Sequence, residues 1–348
     1  MSVFEISTDY LQRTLVDLLN TPSPTGDTDY AIAFLQAELD ELGVPYHRTT
    51  KGALIAHLDG HDSNRPRALS AHIDTLGAVV AEIKSNGRLR LAALNGVVWP
   101  TVESEGVYVS TRSGRRIRGS IVLENGATHV NSQARTAERT AHSLEVRLDE
   151  RTTRADETRA LGIEVGDYVY FDPRVETADS GFIRSRFLDD KACVACLLAS
   201  LQAIRAIDIT PGQRTTLLFS NFEEVGHGGF DGLPSDIAEY VVLDMACIGN
   251  GLQGDEFHCS LCVADSGGPY SRNLSDKLRH LASNRGIDLK TDVYPHYSSD
   301  GTAYWRSGGQ AEVALIGPGV DTSHGYERTH LDALRDTAEL ITAFLVAD

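Results

Sequence analysis

At 348 residues, 41% hydrophobic and 23% charged, the chain has the composition of a folded soluble protein with room for two domains. Its 32 Lys and Arg against 49 Asp and Glu leave a formal charge of −17, which argues against nucleic acid or an anionic membrane as the main partner and suits a cation-binding site. No apolar run approaches the roughly 20 residues of a membrane span, no leader pattern opens the sequence, and five cysteines are an odd number for a disulfide framework, so a cytoplasmic protein is expected.

Apolar residues at helical spacing predict helices over 8–20 and 28–42, parted by the breaker Thr21-Pro22-Ser23-Pro24-Thr25-Gly26. The second stops at Gly43, ahead of Pro45. Strands are predicted over 52–58 and 67–73, and the latter leads into His72, Asp74 and Gly77. Positions i and i+2 of a strand share a face, so Asp74 is placed to hydrogen-bond the far nitrogen of His72 or to hold it through a close neighbour. That is the pattern of a metal ligand with its orienting carboxylate, although a lone histidine is more often a satisfied core or surface residue.

From 78 to 175 the texture changes to short β-like runs broken by Gly, Asn and charges. Strands are read at 107–111, 117–123, 144–148 and 168–171, with one short helix at 154–161, which together predict an inserted barrel or sandwich. The expected division is 1–77 and 176–348 for one domain and 78–175 for the insertion.

Beyond Gly181 the alternation of helix and strand returns. Asp189, Asp190 and Lys191 precede a long apolar helix over 191–206, where two acids also suit a helix cap. A strand over 214–220 delivers Glu223 and Glu224 and then Gly226, Gly228 and Gly229. Adjacent side chains on a strand face opposite ways, so these two acids serve one site only if the chain turns there, which the glycines favour. Further strands are predicted at 241–244, 257–264, 288–293 and 312–316, and helices at 271–285, from 300, and at 330–346. His324 falls on the loop after the last strand. The result is an α/β sandwich in which His72, Asp189, Glu223, Glu224, Asp244 and His324 gather at the carboxyl ends of strands, where open α/β sheets hold ligands. Cys193/Cys196 and Cys259/Cys262 have C-x-x-C spacing, but the first pair reads as helix core and the second as strand residues facing opposite ways.

Two histidines with several carboxylates in one layer suit two divalent ions such as Zn²⁺ or Co²⁺. Here the sequence resembles metallopeptidase family 42, the glutamyl, leucyl and deblocking aminopeptidases. The matching pieces are Ala71 to Gly77, Leu188 to Lys191, Phe222 to Gly226, Val242 to Asp244 and His324 to Glu327, with Gly162 to Asp172 resembling the return from the family's inserted domain. The resemblance implies a zinc-peptidase-like α/β/α sandwich with an inserted small β-barrel-like domain. It further implies that His72, Asp189 and Asp244 hold one metal ion while Asp189, Glu224 and His324 hold the other, with Asp189 bridging. Asp74 would orient His72, a cis peptide would join the two acids, and Glu223 would be the general base for attack by a metal-bridging water. The implied activity is release of N-terminal residues from peptides, with two Zn²⁺ (or Co²⁺) ions per subunit. The implied assembly is a homo-oligomer, a dodecamer built from dimers through contacts of the insertion, where Arg112, Arg115, Arg116 and Arg118 would offset the acidic charge.

Lys191-Ala192-Cys193 and Ser298-Ser299-Asp300 depart from the family's commoner residues, the latter at the expected wall of the substrate pocket. Ser180 to Ile183 and Ser323 to Asp332 look most like a bacterial branch associated with an N-acetylglutaminylglutamine amide osmoprotectant system. The alternative within the same chemistry is a dinuclear deacylase or dipeptidase acting on a small amidated metabolite. A glycosidase built on Glu223 would leave His72 and His324 unexplained, and a silent assembly protein would have no need of Glu223.

Overall fold

The structure, a computed structural model, describes residues 4–348. The chain forms two compact units, one running to Asp74 and resuming at Val175, the other spanning Thr75–Arg174.

The first unit begins with α1 (Thr8–Leu19), α2 (Asp29–Glu41), β1 (Tyr46–Arg48), β2 (Leu54–Leu58) and β3 (Asp62–His72). The Ser7 side chain caps α1 by accepting the Tyr10 N–H, and Leu11, Leu15, Leu18 and Leu19 line its buried stripe. The second unit contains β4 (Gly77–Ile83), β5 (Leu89–Leu94), β6 (Gly106–Ser110), β7 (Arg116–Leu123), β8 (Leu144–Leu148), α3 (Ala155–Ala160) and β9 (Tyr168–Phe171). Its six strands close into a barrel in the order β4-β5-β8-β7-β6-β9. Closure leaves no sheet edge, and alternate residues such as Ile117, Ile121 and Leu123 fill the interior.

The first unit resumes with β10 (Glu176–Thr177), β11 (Phe182–Ser185), α4 (Leu188–Ala206), β12 (Gln213–Ser220), β13 (Glu239–Leu243), β14 (Ala246–Cys247) and β15 (Cys259–Asp265). It ends with β16 (Gly268–Pro269), α5 (Arg272–Arg285), β17 (Lys290–Val293), α6 (Asp300–Arg306), β18 (Glu312–Val320), β19 (Glu327–His330) and α7 (Leu331–Val346). The main sheet has the order β1-β2-β12-β3-β13-β18-β15-β16, and β12, β3, β13 and β18 run parallel. Strands covered on both faces need apolar residues at every position. Thus Val241 and Leu243 enter the core shared with α1, α2, α4, α5 and α7, while Tyr240 and Val242 enter a second core with Tyr304 and Trp305 of α6. The sandwich is therefore uneven, with five helices on one face. Helix α4 is buried nearly all round, which explains its run of Ala, Cys, Val and Leu. No helix among the described residues is long and apolar enough to cross a membrane.

Arg67, 1% exposed, anchors the chain end beneath the sheet. Its Nε donates to Glu239 at 3.1 Å and its Nη1 to the Phe344 and Ala347 carbonyls at 2.9 and 2.7 Å. Burial pushes the Glu239 carboxyl up, but Lys277 and Arg67 outweigh it and hold the group below its ordinary value. A depressed folded pKa stabilises above the unfolded value and is lost as pH falls through the folded one. Glu239→Gln is therefore expected to cost about 3 kcal/mol in urea unfolding at pH 7, because it strands a buried guanidinium. The gap from wild type should begin to narrow as pH falls below the ordinary glutamate value of about 4.3 and should close only as pH passes through the lower value of the folded carboxyl. A gap that stays constant with pH would show that packing, not charge, holds this corner.

Candidate metal centre

Four parallel strands end at one edge of the sheet, and each hands its chain to an ionisable residue within a few positions. Strand β3 ends on His72, β12 is followed by Glu223 and Glu224, β13 by Asp244, and β18 by the loop carrying His324. Asp189 and Asp190 sit at the mouth of α4 with non-helical backbone, joined by a cis peptide, and regular helix follows. After β12 a single 3₁₀ turn over Glu223–Val225 closes on Gly226 at φ +82°, which brings both glutamates to one side.

Two groups of potential ligands result, His72 with Asp190 and Asp244, and Asp189 with Glu224 and His324, each with its ligand atoms within 4.8 Å of one another. Asp189 lies between the imidazoles, its Oδ1 3.1 Å from His72 Nε2 and its Oδ2 3.6 Å from His324 Nε2. Glu224 Oε2 is 3.6 Å from His324 Nε2, and Glu223 Oε2 is 3.8 Å from His72 Nε2. All the expected site residues thus meet at one edge. Asp190 was not expected as a ligand: its Oδ2 accepts the His72 backbone N–H at 3.3 Å, and it groups with His72 and Asp244 where Asp189 had been expected. The signal for it was present in the paired acids at 189–190, but two adjacent carboxylates cannot be ranked without the backbone angle between them.

Asp74 works differently from the simplest expectation. The His72 Nδ1 atom meets the Asp74 backbone carbonyl at 2.9 Å, and the carboxylate lies farther off at 3.5 Å. The Asp74 carboxylate instead accepts the backbone N–H groups of Glu223 at 3.1 Å and Glu224 at 3.3 Å, and the Thr25 hydroxyl at 2.7 Å. One residue therefore fixes the histidine ring through its carbonyl and the glutamate turn through its side chain.

Burial, reinforced by neighbouring acids, pushes Asp190, Glu223 and Glu224 well above the carboxylate range, and Asp244 up to about 8. For Asp189 burial also raises the pKa, but His72 and His324 win and hold it low. Burial lowers His72, yet hydrogen bonds to Asp189 and Asp74 carry it well above its ordinary value. So many acids in a buried space is unfavourable without added positive charge. Each group offers one imidazole nitrogen and two carboxylate oxygens, a donor set that suits a borderline divalent ion and leaves a coordination position open. The residues present therefore fit metal ions.

Among solved structures, the fold is similar to that of the TET aminopeptidase from Thaumarchaeota archaeon SCGC AB-539-E09, with a TM-score of 0.88, 16% identity, and 97% of this chain and 96% of that one covered. It is also similar to PhTET1-12s, a dodecamer in its crystal, with a TM-score of 0.81, 19% identity, and 97% and 99% covered. Among curated proteins, it is 45% identical over 325 residues to "Putative aminopeptidase YhfE" of Bacillus subtilis (strain 168), covering 93% of this chain and 94% of that one. The profile of the M42 glutamyl aminopeptidase family matches residues 52–340, and the chain belongs to that family of peptide hydrolases.

Proposed function

We propose that this chain is a dinuclear metal-dependent aminopeptidase that releases N-terminal residues from peptides. The observation that carries the reading is the pair of histidine–carboxylate triplets at one sheet edge, buried except for the half-buried His324, with Glu223 beside them. Asp189, facing both imidazoles, would serve two ions, most suitably Zn²⁺, with His72, Asp190 or Asp244 on one side and Glu224 and His324 on the other. A bound pair of such ions lowers the pKa of water toward about 7 and polarises a carbonyl. Glu223 takes the proton of the attacking water and passes it to the leaving amine, while Asp74 keeps the Glu223 turn in place. The acids at the edge of the site attract the free amino terminus of a peptide, which favours removal of terminal residues over internal cleavage. The aminopeptidase relatives favour this over a deacylase acting on a small metabolite.

The dodecameric crystal of PhTET1-12s supports a homo-oligomer here too, and we extend this to a particle built from dimers with the inserted barrel as contact domain. The barrel carries none of the proposed ligands, and assembly is the role proposed for it. A cytoplasmic setting, with peptides as the partners, completes the proposal.

One set of samples tests both parts. Purified protein should hydrolyse aminoacyl-p-nitroanilides, lose that activity on chelation, and regain it with Zn²⁺ or Co²⁺. Activity that survives complete chelation would exclude the metal mechanism. Light scattering on the metal-loaded sample should give twelve subunits of 37.8 kDa each; a dimer would keep the interface but refute the closed shell, and a monomer would refute both.

A further inference from the structure

We propose that Glu327 is a positioning residue that locks the two loops carrying Asp189 and His324 into a single metal-holding unit. The inference rests on the metal reading above for its purpose, but its geometry stands independently. Glu327 is 2% exposed and opens β19, where it pairs with Ser185, the last residue of β11. Four residues beyond Ser185 the chain reaches Asp189, and three residues before Glu327 stands His324. The short sheet therefore brings the roots of both loops together, and the Glu327 carboxylate spans their tips. Its Oε2 accepts the Asp189 N–H at 3.1 Å and its Oε1 accepts the His324 N–H at 2.9 Å.

Both loops need such an anchor. His324 has φ +63° and Thr322 φ +60°, and on the other loop Phe187 has φ +73°. Left-handed backbone at residues with a Cβ persists only where surrounding bonds impose it. A second link runs between the same loops, from Arg186 Nη1 to the Gly325 carbonyl at 3.1 Å, but it reaches neither ligand residue. Glu327 reaches the backbone of both ligand residues directly. Two short N–H bonds accepted by one buried side chain fix direction as well as distance. The bond from each ligand residue's own N–H thus sets where its side chain starts. The ion held by Asp189, Glu224 and His324 loses support at two ligand residues when the clamp goes, whereas the ion beside His72, Asp190 and Asp244 is reached through Asp189 alone, so the first should suffer more.

Glu327→Gln tests this, because the amide keeps the shape but turns an N–H₂ toward one of the two N–H groups. In zinc titration of chelated protein, one equivalent should weaken about 10- to 100-fold, as is typical when a residue supporting a metal ligand is lost, and the other, reached through Asp189 alone, by a clearly smaller factor. Added to His324→Ala, the substitution should cause less further loss at that ion than it does alone, since the two share the His324 loop. Equal weakening of both equivalents, or of neither, would overturn the proposal. The second measurement needs no metal: in chelated protein, hydrogen exchange of segments 186–190 and 322–326 should quicken together in the variant while the sheet stays protected. Unchanged protection in either segment would overturn the clamp. Should wild type take up no metal, the dinuclear reading fails by itself and hydrogen exchange still decides the role of Glu327. If Glu327→Gln does not fold, Glu327→Asp replaces it in both measurements, since its shorter carboxylate cannot span both N–H groups.

Discussion

Glu223→Gln should lower kcat by at least about a hundredfold while leaving fold and metal content unchanged. A general base contributes about 10²- to 10⁴-fold, so the smallest expected loss corresponds to about 2.7 kcal/mol in the barrier. The geometry makes the substitution clean. The Glu223 turn is held by its own backbone N–H to Asp74 Oδ1 at 3.1 Å, a bond that glutamine retains. The side chain stands 3.8 Å from His72 Nε2 but belongs to neither group of potential ligands, so removing its charge should leave the metals in place. An amide of the same shape cannot accept the water's proton, and KM should change little because the terminal amine is met by other acids. The check is steady-state kinetics with metal analysis on the same preparation. Near-normal turnover with full metal content would remove Glu223 from this role. A variant that also loses metal would show that the glutamate helps to hold it.

The regular elements were legible because burial writes itself into spacing. Leu11, Leu15, Leu18 and Leu19 mark the inner stripe of α1, and the unbroken apolar run of Leu217, Leu218 and Phe219 marks a strand covered on both faces. The same logic placed the cysteines: Cys193 and Cys196 are core residues of α4, while Cys259 and Cys262 enter opposite cores from β15. Strands β4 and β5 were not singled out, since Ala92 and Ala93 blur the alternation within β5. The sheet of β10, β11 and β19 was beyond reach for a different reason. Its pairing of Phe182–Ser185 with Glu327–His330 joins segments remote in sequence, and neither is apolar enough to announce a strand. At the site, residue types and strand ends named the ligand candidates, but contacts made by backbone atoms stayed hidden. The Asp74 carboxylate on two N–H groups, and the division of work between Asp189 and Asp190, depend on dihedral angles that composition and periodicity do not encode.

That division yields the second large effect: Asp189→Ala should release both metal ions together and abolish activity, whereas Asp190→Ala should weaken at most one. The argument is geometric. Asp189 directs one oxygen to each imidazole, at 3.1 Å from His72 Nε2 and 3.6 Å from His324 Nε2, and so joins the two groups of ligands. Asp190 lies only with His72 and Asp244, and its Oδ2 is engaged by the His72 backbone N–H at 3.3 Å. Electrostatics point the same way. Burial raises both carboxyls, but the two histidines outweigh it at Asp189, whereas Asp244 adds to it at Asp190. Asp189 is thus the acid that the surrounding imidazoles already favour in its charged form, as a ligand shared by two ions requires. Metal content by mass spectrometry, followed by zinc titration of each chelated variant, measures the outcome directly. Retention of one full equivalent by Asp189→Ala, with loss of both by Asp190→Ala, would transfer the bridge to Asp190. Equal partial losses in the two variants would mean that each ion has its own aspartate and that no single carboxylate is shared.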